Sequence, residues 1–131
     1  MKKLLNKKGF TLMEMLIVVA IIVILVAVSI PTFSSSLDDA KKATDDANLR
    51  AAKAIANTKE LMEGWDEYKA AGAAADATFS GTLYYDVDAG KFVSGTTDAD
   101  KGQSSANKNN YIKVVITDGK LTTGPVWDDA N

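Results

Sequence analysis

The sequence predicts an α+β protein in which a long N-terminal helix packs on a small antiparallel sheet of three or four strands. The N-terminal half is first apolar and then alanine-rich, with apolar residues at helical spacing. Beyond residue 73 the pattern changes to short β-prone runs. Asp118 and Gly119 separate the last two runs, and an Asp-Gly pair in that position is typical of a two-residue hairpin turn.

An uninterrupted apolar run over residues 15–28 opens the predicted helix, with Glu14 before it and Pro31 after it. About 20 apolar residues are enough to cross a bilayer as a helix. Together with a lysine-rich start, the run indicates a single-pass anchor whose N-terminus lies in the cytoplasm. An ordinary secretory signal, cleaved after Ala27 or Ser29, is the alternative interpretation.

Neither interpretation explains Glu14. A carboxylate beside a membrane-length apolar run is expensive to bury, and acids in such segments are more often functional than incidental. A side chain that merely reaches the headgroup level is the simpler alternative.

Residues 7–33, KKGFTLMEMLIVVAIIVILVAVSIPTF, resemble the N-terminus of a type IV pilin precursor. The shared features are a basic leader that ends at Gly9, then Phe10, Glu14 and the later Pro31. The resemblance implies that a prepilin peptidase cleaves between Gly9 and Phe10 and methylates the new Phe10 amine. It also implies that the helix bends at Pro31, although Val23 stands where many members of the family carry a glycine.

The resemblance further implies that Glu14 pairs with the Phe10 amine of a neighbouring subunit and so sets the stagger between subunits. An opposite charge at hydrogen-bonding distance offsets much of the cost of burying a carboxylate. Because Phe10 and Glu14 are one helical turn apart, a pair within one chain is the alternative before assembly.

The amphipathic part of the helix is expected to continue from the apolar part and to end at Gly72. A new helix starting near Ser36, with Asp39 in capping-box spacing, is the alternative. The residues expected to cover the sheet are Leu37, Ala40, Ala43, Ala47, Ala51, Ile55, Met62, Trp65 and Tyr68.

In the sheet, Ile112, Val114 and Ile116 share one face of a strand and are expected to pack on the helix. The other core candidates are Ile55, Leu61, Met62, Trp65, Phe79, Tyr84, Phe92, Tyr111 and Val115. The predicted organisation is a removed leader over residues 1–9, a hydrophobic helix over 10–33, its amphipathic continuation over 34–72, and a sheet region over 73–131 with an exposed loop at 96–110.

The composition argues against an enzyme. The chain has no histidine and no cysteine, which excludes thiolate zinc sites, cysteine nucleophiles and histidine-based triads. The net charge is −2 even when the leader lysines are counted. An acidic chain lacks the positive surface that a nucleic acid requires, so no specific nucleic-acid binding is expected. Two acidic patterns that start at Asp86 and Asp98 echo a calcium loop but lack its closing glutamate, so no metal or other cofactor is expected. The pairs Asp38-Asp39 and Asp45-Asp46 are interpreted as a solvated face.

The resemblance implies a structural subunit of a type IV pilus. The cytoplasmic membrane would hold the precursor and a subunit pool, and an assembly ATPase with its platform protein would build identical subunits into a helical surface filament. Adhesion, motility or DNA uptake would follow from that filament. The alternatives are a pseudopilin of a type II secretion or competence system and a membrane-anchored domain that never polymerises.

Overall fold

The computed structural model of the chain describes residues 9–96 and 99–128, with only the backbone of Glu63. The predicted leader lies outside the described residues except for Gly9, and so does Asp98 of the second acidic pattern. The chain divides into two compact units, Met1–Leu37 and Asp38–Asn131, each of which is described by itself.

Helix α1 spans Leu12–Thr58 and runs through Pro31 without interruption. No new helix starts at Ser36, whose hydroxyl donates to the carbonyl of Thr32 one turn earlier at 3.2 Å, as helix-interior serines do. The prediction of a continuous helix is therefore confirmed.

The predicted helix end at Gly72 is wrong. After Thr58 the chain forms one π-helical turn, Lys59–Glu63, and Gly64 stops it by adopting a φ of 71°. Strong helix formers recur in the segment that follows, at Lys69, Ala70 and Ala71, but the burial of Trp65 turns the chain back towards the sheet. Gly72 also has a positive φ, of 89°, but it lies in a turn beyond the helix.

The four strands are β1 (Gly81–Asp86), β2 (Lys91–Val93), β3 (Tyr111–Thr117) and β4 (Lys120–Asp128). They form one antiparallel sheet in the order β2-β1-β3-β4. The predicted hairpin joins β3 to β4, and its turn residues Asp118 and Gly119 have φ values of 50° and 74°. Gly119 donates its N–H to the carbonyl of Phe79, which ties the hairpin to the segment before β1.

The core lies between one face of the sheet and the second half of α1. Ile112, Val114 and Ile116 are all buried, as predicted. The predictions for Trp65 and Phe92 are also confirmed. The remaining buried hydrophobic residues are Ala52, Ala56, Leu83 and Tyr85, with Leu49, Ile55, Tyr68, Phe79, Val87, Leu121 and Trp127 partly buried against them.

Several core candidates were misplaced. Tyr84, Tyr111 and Val115 are only half-buried, because strand alternation gives the inward positions to their neighbours. Leu61 and Met62 are each 82% exposed.

The helix face that covers the sheet also differs from the predicted one. Ala43, Ala47 and Ala51 are exposed, whereas Ala52 and Ala56 are fully buried. Alanines occur on more than one side of α1, so spacing alone allowed either stripe. Asp45 lies on the buried side, and its hydrogen-bond partners come from a distant loop.

Candidate functional site

The peptide bond predicted for cleavage lies in an exposed, non-helical stretch. Gly9 and Phe10 precede α1, and Phe10 is 80% exposed. A Cβ built on Gly9 meets no atom within 4 Å, so nothing in the described part of the chain requires glycine there.

Glu14 and Thr11 form a reciprocal capping box at the start of α1. The N–H and the hydroxyl of Thr11 donate to Oε2 of Glu14 at 2.7 and 2.9 Å. The N–H of Glu14 in turn donates to the hydroxyl of Thr11 at 3.2 Å. The pair thus satisfies two groups that a helix start leaves without backbone partners.

In the intact chain Glu14 therefore bonds to Thr11 rather than to Phe10, whose nitrogen is an uncharged peptide amide. Both hydrogen bonds that Thr11 donates to the carboxylate end on the same oxygen, Oε2. The carboxylate keeps accepting capacity for a further donor.

The rest of the first unit is an apolar helix surface. One described helix is long and apolar enough to cross a membrane, by length and composition, and none of its most apolar window is buried. Two of its hydroxyls are satisfied within the helix: Ser29 donates to the carbonyl of Leu25, and Thr32 donates to that of Val28. Such internal bonds remove much of the cost of placing hydroxyls in lipid or in a dry interface.

The second unit contains a polar anchor that the sequence did not predict. Asp45 is 1% exposed. The N–H groups of Gln103 and Ser104 donate to its carboxylate at 2.7 and 3.0 Å. The Ser104 hydroxyl and the Asn107 side-chain amide complete the set at 2.5 and 3.1 Å.

These bonds also decide the protonation of Asp45. Burial by itself would raise the pKa of Asp45, but the hydrogen bonds from Gln103, Ser104 and Asn107 outweigh it and hold that pKa below its usual value. The carboxylate is therefore charged at neutral pH and acts as the acceptor for Gln103, Ser104 and Asn107.

A second acid extends the anchor one residue further along the loop. Asp38 accepts hydrogen bonds from the N–H and the hydroxyl of Ser105 at 2.8 and 2.9 Å. These bonds, together with Lys42 at 3.2 Å, lower the pKa of Asp38. The predicted solvated face is thus wrong for Asp38 and Asp45, although Asp39 and Asp46 are exposed.

The loop predicted to be exposed is in fact partly docked. Ser104 is fully buried, and Gly102 is buried as well. A Cβ added to Gly102 would lie 2.3 Å from the Cβ of Asn107. The N–H of Gly102 donates to the carbonyl of Asn110, which closes the base of the loop. Serine and asparagine spacing alone carries no signal for this docking, because the acids that bind them lie about 60 residues earlier.

The acidic turn patterns serve the backbone. Asp86 accepts from the N–H of Ala89 at 2.8 Å, and Asp100 accepts from that of Val87 at 2.8 Å. No group of three or more acidic side chains that could hold a metal ion occurs among residues 9–96 and 99–128.

The N-terminal segment matches a known family motif, and the whole chain resembles known pilins. Residues 4–30 match the prokaryotic N-terminal methylation motif. The chain is 34% identical over 122 residues to a type IV major fimbrial protein of Dichelobacter nodosus. This alignment covers 90% of the present chain and 71% of the Dichelobacter protein. It is also 47% identical over 55 residues to a type IV narrow pilus major component of Thermus thermophilus. This shorter alignment covers 40% of the present chain and 47% of the length of the Thermus protein.

No solved structure matches the chain. The relatives are structural proteins rather than enzymes, and the similarity to the Dichelobacter protein extends from the N-terminal motif through the sheet region. The chain belongs to the type IV pilin family and is a pilin-type structural subunit.

Proposed function

We propose that this pilin is made as a membrane-anchored precursor, trimmed between Gly9 and Phe10, and polymerised into a surface filament through its N-terminal helix. The observation that carries the proposal is the combination of an exposed apolar helix with one carboxylate at its start, next to an exposed Gly9-Phe10 bond. Lipid would cover residues 10–33 in the subunit pool, and equivalent helices would replace the lipid in the filament.

Cleavage supplies the positive counter-charge that the Glu14 carboxylate lacks in the precursor. A prepilin peptidase that cuts after Gly9 would leave an ammonium group at Phe10, and N-methylation would keep its positive charge. An unpaired buried carboxylate costs several kcal/mol, and an opposite charge offsets much of that. Because Thr11 engages Oε2, the ammonium of a neighbouring subunit would bind through Oε1 without breaking the capping box.

Extraction from the bilayer requires work that the subunit itself does not provide. We therefore assign an assembly ATPase and a platform protein of the cytoplasmic membrane as partners. The leader over residues 1–9 would be removed before this step. The continuation of the helix would carry the sheet region. Pro31 would supply a bend in the helix because it lacks an amide donor.

Both relatives are major components of a fimbria or pilus, which favours a long surface pilus over a short pseudopilus. Adhesion, motility and DNA uptake are roles that such a filament would serve on the cell surface.

The test is mass spectrometry of the N-terminal peptide together with electron microscopy of sheared surface material. We expect a methylated peptide that starts at Phe10 and long filaments made of this chain. An intact Met1, or cleavage after Ala27 or Ser29, would instead show a simple anchor or a secreted domain. Short fibres confined to the cell envelope would favour a pseudopilin.

A further inference from the structure

One short segment of the chain reaches both edges of the sheet. In the order β2-β1-β3-β4, the described residues place β2 at one edge and β4 at the other. An edge strand presents unpaired N–H and C=O groups on which a strand of another chain can pair. The strap, residues 60–68 at the end of the helical region, bonds to one backbone group on each edge.

Glu60 covers the β4 edge next to the hairpin turn. Leu121 belongs to the second residue pair after the turn, opposite Ile116. Antiparallel pairs alternate between hydrogen-bonded and non-hydrogen-bonded ones, and the N–H groups of the second kind point away from the partner strand. The N–H of Leu121 donates to Oε2 of Glu60 at 2.9 Å. Further along β4, Pro125 has no N–H with which another strand could pair.

Tyr68 covers the β2 edge at the other end of the strap. Its hydroxyl donates to the carbonyl of Phe92 at 2.9 Å. Phe92 is the central residue of β2, which is only three residues long. One hydroxyl therefore occupies the middle of this short edge.

Trp65 fixes the strap between its two contacts. The side chain of Trp65 is 1% exposed and packs edge-on against Phe92, with ring centroids 5.7 Å apart. Its Nε1 donates to the same oxygen of Glu60 that Leu121 uses, at 2.9 Å. Neighbouring strands are about 4.8 Å apart, so the two edges of a four-stranded sheet are separated by about 14 Å, a distance that the strap can span.

We propose that the strap keeps both edges of the sheet closed to strand addition by a second copy of the chain. The inference goes beyond the proposed function and holds whether or not the N-terminal helix drives assembly. Strand addition needs free backbone donors and acceptors along an edge. Glu60 and Tyr68 occupy two such groups, so their loss would leave the edges open to pairing between subunits.

Two substitutions each remove one of these contacts, Glu60→Ala and Tyr68→Phe. Glu60→Gln is the conservative variant, because its amide oxygen still accepts a hydrogen bond. Gly102→Ala, whose new methyl group would overlap Asn107, is the control for a loss of stability that leaves both edges untouched. Sedimentation velocity and thioflavin T fluorescence of the detergent-solubilised full chain, over a concentration series, measure self-association.

We expect Glu60→Ala and Tyr68→Phe to self-associate about fivefold more tightly than the unmodified chain, which is the factor that one net hydrogen bond is worth. Both should bind thioflavin T, whereas Glu60→Gln and Gly102→Ala should behave as the unmodified chain. Adding Thr123→Lys, at an exposed position of β4, to Glu60→Ala should reverse the association, because like charges on paired edges repel.

Unchanged association in both Glu60→Ala and Tyr68→Phe would overturn the inference. An equal gain in Gly102→Ala would also overturn it, since the cause would then be lost stability rather than an open edge. Association that Thr123→Lys leaves in place would refute the role of Glu60 at β4. If Glu60→Ala does not accumulate as a folded chain, Tyr68→Phe decides the question, because it removes one hydroxyl and keeps the ring that contacts Trp65.

Discussion

The hydroxyl of Ser104 donates to the buried carboxylate of Asp45, and this bond joins the loop before β3 to the middle of α1 across 59 positions of the chain. A buried carboxylate without a bonded cation is stable only when donors surround it. Here the loop backbone supplies the donors, so the loop and the charged state of Asp45 depend on each other.

Replacing Asp45 by asparagine should destabilise the second unit by about 2 kcal/mol, because the amide carries one acceptor oxygen where the carboxylate has two. Hydrogen exchange at the amides of Gln103 and Ser104 should accelerate. Thermal unfolding of the detergent-solubilised chain measures the stability, and the exposed Asp46→Asn is the control. Equal melting temperatures for the two variants would contradict the anchoring role.

Stability should fall at acidic pH through the anchoring acids. The pKa values of Asp38, Asp45 and Glu60 are all lowered by the hydrogen bonds that they accept in the fold. A lowered folded-state pKa contributes stability that is present above the unfolded pKa and is lost as the pH falls through the folded one.

The loss should therefore begin below about pH 4, near the unfolded carboxyl values. Because the chain has no histidine, no step is expected near pH 6. Denaturant unfolding at a series of pH values tests this. Asp45→Asn should show a shallower acid limb than the unmodified chain, and an identical limb would remove Asp45 as a contributor.

Gly102→Ala should destabilise the loop by about 1–3 kcal/mol, because the new methyl group would clash with the Asn107 backbone and Cβ. Gly124→Ala is the matched control, since its Cβ meets no atom within 4 Å. Chemical unfolding of both variants gives the comparison. A Gly102→Ala variant as stable as Gly124→Ala would mean that the loop can shift freely.

Glu60→Ala should lower the free energy of unfolding by about 1 kcal/mol and shift tryptophan emission. The reason is that the Trp65 indole and the N–H of Leu121 on the edge strand β4 lose their acceptor. The exposed Asn57→Ala is the control. Unchanged emission in Glu60→Ala would show that the bond to Trp65 does not form in solution.

Glu14→Gln and Glu14→Val should both abolish filaments while leaving membrane insertion and cleavage largely intact. Glutamine keeps an oxygen for Thr11 but removes the charge, so it separates helix capping from charge pairing. Immunoblots of the membrane fraction and microscopy of sheared material measure the two outcomes. Normal filaments with glutamine at this position would refute the charge pair.

The sequence located its elements well where the signal is local. The hairpin of β3 and β4 follows from one Asp-Gly turn and from strand alternation, and both involve neighbouring residues. The capping box of Thr11 and Glu14 at the start of α1 is also local, since the two residues are three positions apart, but it was not predicted, and the helix was expected to begin at residue 10. The end of the helix was misjudged because Gly64 and Gly72 are equivalent as sequence signals, and only the burial of Trp65 selects the first.

By itself the sequence determined the apolar N-terminal segment with its lone acid, the α+β order of elements, and membership of the pilin family, since all of these are read from contiguous residues. Tertiary structure alone decided which side of an alanine-rich helix covers the sheet, and it made Asp45 an anchor rather than a solvated charge. Both outcomes depend on residues distant in sequence: the helix side is set by the packing of the sheet, and the partners of Asp45 lie about 60 residues away.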